Sequence, residues 1–243
     1  MLKPELRQNF TVDMSVLDDV AAALDVQPGD KIVEVGTGKG MLTQRILNQI
    51  YKIPEDKDPA FLLGYEVDND LFFDLESFKK KNPEFFDFRI QSFLDANRKL
   101  GFNKCTGNIP YHISEPLFFK QLEWDFDLIV FITGIKYAKR VTGEMPGNLA
   151  IISKYLYNSE IVKIYDKNIF YPKSKVDSAL LVMRKKIEFE NSTEEKLNTI
   201  MKNVFKKHTW LNKYLGYDQG QTGQIYHMDL ERLVESVNNS IRS

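Results

Sequence analysis

The sequence has a single cysteine, Cys105, and that scarcity excludes an intramolecular disulfide and a multi-cysteine zinc site. It also fits a reducing, intracellular setting. Histidine is nearly as scarce, with three in the chain, and neither His112 nor His208 has a partner in the pattern that would set up acid–base work. No run approaches the roughly 20 apolar residues of a membrane span, and the first residues, MLKPELRQNF, lack the apolar core of a secretory signal. The expectation is a cytoplasmic protein, with an organellar one left open, that uses neither a membrane nor a metal. Without a secretory signal, Asn9-Phe10-Thr11 and Asn191-Ser192-Thr193 match the glycosylation pattern by chance. An excess of charge of one sign is missing too, the formal net charge being −1. Charge is nevertheless uneven: Lys136 to Lys186 carries eleven basic residues against four acidic ones. That surplus suits contact with phosphates and equally suits a solvated lysine-rich surface.

What is present is ordinary for a globular protein, 43% hydrophobic and 28% charged residues, in a length that fits one large domain with at most a small appendage. Asp13 to Leu24 has apolar residues at helical spacing, with Asp13 or Ser15 as cap. Gln27-Pro28-Gly29-Asp30 breaks the chain before a short apolar strand, Lys31 to Val35. The turn Gly36-Thr37-Gly38-Lys39-Gly40 follows at once and leads into a helix from about Met41 to Tyr51. Strand, glycine turn and helix make the first half of a nucleotide-binding βαβ unit. After an exposed polar loop, Lys52 to Pro59, the pattern alternates. Strands are expected at Phe61 to Val67, Phe86 to Ile90, Asn103 to Thr106 and Phe126 to Ile132, and helices at Leu71 to Lys81, 114 to 122 and 135 to 142. Such alternation predicts a parallel sheet covered on both faces.

Beyond Pro146-Gly147 the spacing predicts a helix over Leu149 to Tyr157, strands at Glu160 to Tyr165 and Asp177 to Arg184, and helical pattern from Thr193 onward. The fold class expected is α/β, Rossmann-like, with a domain over residues 1–187 and a small helical C-terminal subdomain over 188–243.

Two features carry chemistry. Glycines at 36, 38 and 40 let backbone approach a ligand closely, and the following helix N-terminus favours a negative group. Dinucleotide sites prefer a wider third spacing; this tighter one suits S-adenosylmethionine (SAM). The next strand ends in Glu66, placed to accept hydrogen bonds from ribose hydroxyls. The second feature is Asn108-Ile109-Pro110-Tyr111. On its own it reads as a turn; beyond a glycine turn and an acidic strand end it reads as a pocket for a planar amine.

Taken together these pieces resemble the rRNA adenine N6-methyltransferases, which include the KsgA-type dimethyltransferases of small-subunit rRNA and the Erm-type enzymes of large-subunit rRNA. The matching stretches are Gln8-Asn9-Phe10 with Asp13, VEVGTGKGMLT at 33 to 43, GYEVD at 64 to 68, GNIPYHISEPL at 107 to 117, FDLIVF with YAKR between 126 and 140, and FYPKSKVDSALL at 170 to 181. The resemblance implies a class I SAM-dependent enzyme that methylates adenine N6 in rRNA. SAM would lie across Gly36, Gly38 and Gly40, under Gln8 and Asn9, with Glu66 and Val67 at the ribose and Ser92 at the adenine. The Asn108 amide would accept a hydrogen bond from the target amine, jointly with a backbone carbonyl, that of the next residue or of Pro110. Asn108 would also face the cofactor. Tyr111 and Phe170 would stack on the two faces of the target base. Family habits further imply a monomer acting on rRNA or a ribosomal subunit precursor.

Some positions depart from the family pattern. Ser92 stands where an aspartate usually receives the SAM adenine amine, which predicts a weaker hold on SAM or a takeover by Asp95. Gly134-Ile135-Lys136 replaces a usual Gln-Lys-Glu. The resemblance favours small-subunit dimethylation. The alternatives are Erm-type methylation of large-subunit rRNA and a non-catalytic nucleic-acid-binding factor on the same scaffold, like some mitochondrial transcription factors.

Overall fold

Five short segments set the centre of the molecule, three of them (Lys31–Val35, Phe61–Glu66 and Leu128–Gly134) apolar enough to be buried along most of their length. In a computed structural model of the chain, which describes residues 10–11, 13–97, 101–124, 126–171 and 173–186, these segments become β2 (Lys31–Val35), β3 (Phe61–Glu66), β4 (Phe86–Ile90), β5 (Lys104–Asn108) and β6 (Leu128–Gly134). They pair in parallel in the order β4-β3-β2-β5-β6. Strands β7 (Tyr157–Tyr165) and β9 (Ser178–Lys185) complete a seven-stranded sheet on the β6 side. The expectation of a parallel sheet therefore holds for five strands only. β9 runs antiparallel to β6, with Gly134 opposite Ser178 and Leu128 opposite Arg184. Two short strands that periodicity could not show, β1 (Phe10–Thr11) and β8 (Phe170–Tyr171), pair antiparallel in a second sheet.

The helices are α1 (Met14–Leu24), α2 (Met41–Ile50), α3 (Phe72–Lys81), α4 (Ser114–Trp124), α5 (Ile135–Thr142) and α6 (Asn148–Leu156). α1 starts where predicted because the Asp13 carboxylate accepts the Ser15 N–H at 3.0 Å. Its apolar face, Val16, Leu17, Val20 and Leu24, joins one core cluster with Ile46 and Leu47 of α2 and Ile32, Leu62 and Phe86 of the sheet. The chain divides into two compact units, one of Met1–Ala138 with Ser159–Lys185 and one of Lys139–Asn158 with Lys186–Ser243. The helical pattern expected over 188–243 lies outside the described residues.

The strand order places a crevice where chain direction across the sheet reverses, between β2 and β5. Two devices hold these strands in register. At one end, the buried Lys104 ammonium meets the Asp30 carboxylate at 2.7 Å and donates to the Leu24 and Asp25 carbonyls. At the other, Gly107 lets β5 close on β2, since a Cβ there would stand 2.3 Å from the Val35 carbonyl oxygen.

Candidate active site

The C-terminal ends of β2, β3 and β5 open on a cleft, the place where sheets of this topology bind ligands. The glycine turn forms one wall. Gly36, Gly38 and Gly40 take φ values of 75°, 58° and 77°, a left-handed conformation that side chains resist. The Gly36 and Thr37 N–H groups both donate to the Tyr65 carbonyl, at 2.8 and 3.2 Å, fastening the turn to the end of β3. Glu66 then closes it. One carboxylate oxygen accepts the Gly38 N–H at 2.7 Å, while the other accepts those of Val67 at 2.7 Å and Asp68 at 2.8 Å. Of the roughly four acceptor positions of a carboxylate, one remains, on the oxygen shared with Gly38, for a ligand hydroxyl.

Behind this wall lies Glu34, an acid among the buried apolar residues Ile32, Val33 and Val35 of β2 and 1% exposed. Burial pushes its carboxyl up to about 8; the Thr43 hydroxyl, donating at 2.7 Å, partly offsets that, and the nearby Glu66 charge adds to the push. Glu34 lines the cleft, yet the sequence reading gave it no role. Its signal, a carboxylate directly ahead of the glycine turn, was there to be read. Ser92, Phe93 and Leu94 line the adjoining edge, the Ser92 hydroxyl capping the short turn Phe93–Asp95 by accepting the Leu94 N–H at 3.2 Å. Asp95 is exposed and not part of the lining. The polar residues lining this edge are Gln91 and Ser92.

The opposite wall is the motif at the end of β5. Asn108 is half-buried, and Pro110, with φ of −57°, starts a single 3-10 turn, Tyr111–Ile113, ahead of α4. The Pro110 carbonyl accepts the Ile113 N–H at 3.1 Å and the Ser114 hydroxyl at 3.5 Å. That carbonyl is committed to the turn.

Of the predicted site residues, Gly36, Gly38, Glu66, Val67, Ser92, Asn108 and Pro110 share this cleft. Gly40 does not line it; it caps α2 and leaves room for the Phe78 ring, which a Cβ would meet at 2.5 Å. Phe170, expected as a stacking surface, is 3% exposed and belongs to the core cluster with Tyr165, Leu180 and Val182. Tyr111 is half-buried beside the cleft and outside its lining. Gln8 and Asn9 lie outside the described residues. Among the described residues no cluster of metal-binding side chains exists, and no helix is long and apolar enough to cross a membrane.

The donor set suits SAM: a turn with glycine at every second position, a carboxylate with an acceptor to spare, and a polar hydroxyl beside the Phe93 ring. Sheet order and cleft define a class I, Rossmann-like SAM-dependent methyltransferase fold. Crystal structures of a dimethyladenosine transferase from Plasmodium falciparum (TM-score 0.71, 16% identity, 96% of this chain and 98% of that one) and of the 23S rRNA methyltransferase ErmE (TM-score 0.66, 20% identity, 94% and 98%) share it. The chain belongs to the ribosomal RNA adenine dimethylase family, whose model matches residues 1–239. A relative in Thermococcus sibiricus, named a probable ribosomal RNA small subunit methyltransferase A, is 30% identical over 197 residues, 76% of this chain and 66% of the relative. The chain thus spans about two thirds of that relative's length.

Proposed function

We propose that the protein transfers methyl groups from SAM to the N6 amine of adenine in rRNA, twice on the same base, in the small subunit or its precursor. One observation carries the reading: Asn108 and Pro110 line the same cleft as Gly36, Gly38 and Glu66. Family membership supports the reaction, and the name of the Thermococcus relative supports the small subunit.

SAM, when bound, supplies an electrophilic methyl group. The chain's own residues do the rest. Glu66 and the turn glycines hold the ribose side, and Ser92 offers its remaining oxygen lone pair at the adenine edge. The target amine is a poor nucleophile because its lone pair is delocalised into the ring. Acceptors at the Asn108 amide and the Ile109 carbonyl would hold its hydrogens, favouring a pyramidal nitrogen with the lone pair directed across the cleft. Lys173 and Lys175 are exposed on either side of Ser174, where positive charge favours an RNA backbone.

Mapping dimethyladenosine by primer extension on both rRNAs, with and without the protein, tests this. A protein-dependent stop in small-subunit rRNA is expected. A stop confined to large-subunit rRNA sinks the subunit assignment, and no stop on either sinks the reaction.

A further inference from the structure

The motif FYPKSKVDS, residues 170–178, belongs to the family resemblance, yet its expected contribution, the Phe170 ring, is buried in the core. Two other residues of the stretch reach the base-side wall. The Tyr111 hydroxyl stands 2.9 Å from the Ser174 hydroxyl and 2.7 Å from that of Ser178. Both serines are buried, at 5% and 0% exposure.

Proton counting fixes the direction of this chain. Ser174 spends its one hydroxyl hydrogen on the Val176 carbonyl at 2.7 Å and accepts the Val176 N–H at 3.2 Å. Towards Tyr111 it is therefore an acceptor, so Tyr111 donates to Ser174 and receives its second bond from Ser178. The ring is seated as well. Gly134, directly across from Ser178 in the β6–β9 pair, has no side chain, and a Cβ there would meet Tyr111 Cδ1 at 3.2 Å and Cγ at 3.4 Å. This is the position where the family usually carries glutamine. One face of Tyr111 thus rests on bare backbone while its hydroxyl is held from two sides.

We propose that Ser178 and Ser174 are positioning residues that, with Gly134, lock the Tyr111 ring in the orientation it needs to stack on the target adenine. The stretch 170–178 acts on the base through Tyr111 rather than through Phe170. The inference rests on the adenine-methylation reading above, and the test separates the two.

Single-turnover methyl transfer to rRNA is measured for wild type, Tyr111→Phe, Ser178→Ala and the double variant, alongside SAM affinity and melting temperature. Tyr111→Phe keeps the ring and loses only the hydroxyl, so it reads the clamp even where Ser178→Ala folds poorly. Each single variant is expected to lose rate on the order of tenfold, the worth of one or two oriented hydrogen bonds, with SAM affinity unchanged. The double variant is expected to lose no more than the worse single, since both act through one chain. Wild-type rates in Tyr111→Phe, or losses that multiply in the double variant, overturn the clamp while leaving the methylation reading intact. An inactive wild type overturns both.

Discussion

The two walls of the cleft are built from different materials. The cofactor-side wall is backbone: glycines at positive φ and three N–H groups gathered on the single Glu66 carboxylate. The base-side wall depends on side chains from distant segments, with the Tyr111 hydroxyl meeting Ser174 and Ser178 across 63 and 67 residues of sequence. The first wall closes within one strand–helix–strand unit, Gly38 and Glu66 lying 28 residues apart, and the second is set only when the strand carrying Ser178 has joined the sheet. Substitutions on the first should change binding and folding together, whereas substitutions on the second should change turnover while sparing the fold.

The largest contrast is expected at Asn108. Asn108→Ala should lower methyl transfer about 10²–10³-fold, the usual cost of one preorganised polar group at a reacting centre, with an unchanged melting curve. An unfolded variant would break the contrast. Glu66→Ala should do the opposite. It strands three N–H groups around a site that is 4% exposed, costing roughly 3 kcal/mol in chemical denaturation and most of the SAM affinity. A gain is expected at Ser92, where Ser92→Asp restores a charged acceptor and should tighten SAM roughly fivefold by calorimetry. Unchanged affinity would mean that this edge does not receive the adenine amine.

A pH dependence is expected at Glu34. Its carboxyl stands at about 8 in the fold against an ordinary 4.5. Between those values the unfolded chain gives up a proton that the folded protein keeps, so stability falls as pH rises through that window and levels off above it. Glu34→Gln removes this dependence. Its melting temperature relative to wild type should rise across the same window, and a constant difference would contradict the buried neutral acid.

The same division explains what was legible in the sequence. β2, β4 and α5 fall on the predicted residues because local apolar pattern and glycine or proline breaks define them. β3 was expected to reach Val67 and stops at Glu66, whose own carboxylate captures the Val67 and Asp68 N–H groups and ends the ladder. β5 was expected to end at Thr106 and runs on to Asn108, because Gly107 fits against Val35 and both residues pair with β6. The helix expected to include Tyr157 ends at Leu156, and the strand after it begins three residues early, two patterns overlapping at one boundary. Glycine spacing and the Asn-Ile-Pro-Tyr run announced the cleft, but no periodicity connects Tyr111 with Ser178. Nor could pattern show that Phe170 turns into the core, because an aromatic beside a proline-lysine loop reads the same whether it packs or stacks.

The central claim is that the backbone wall holds SAM, and a calorimetric titration of SAM into the protein tests it most directly. Saturable binding to one site, lost in Glu66→Ala and kept in Tyr111→Phe, is the predicted result. A titration without heat up to about millimolar SAM, the upper end of common enzyme working ranges, would contradict it.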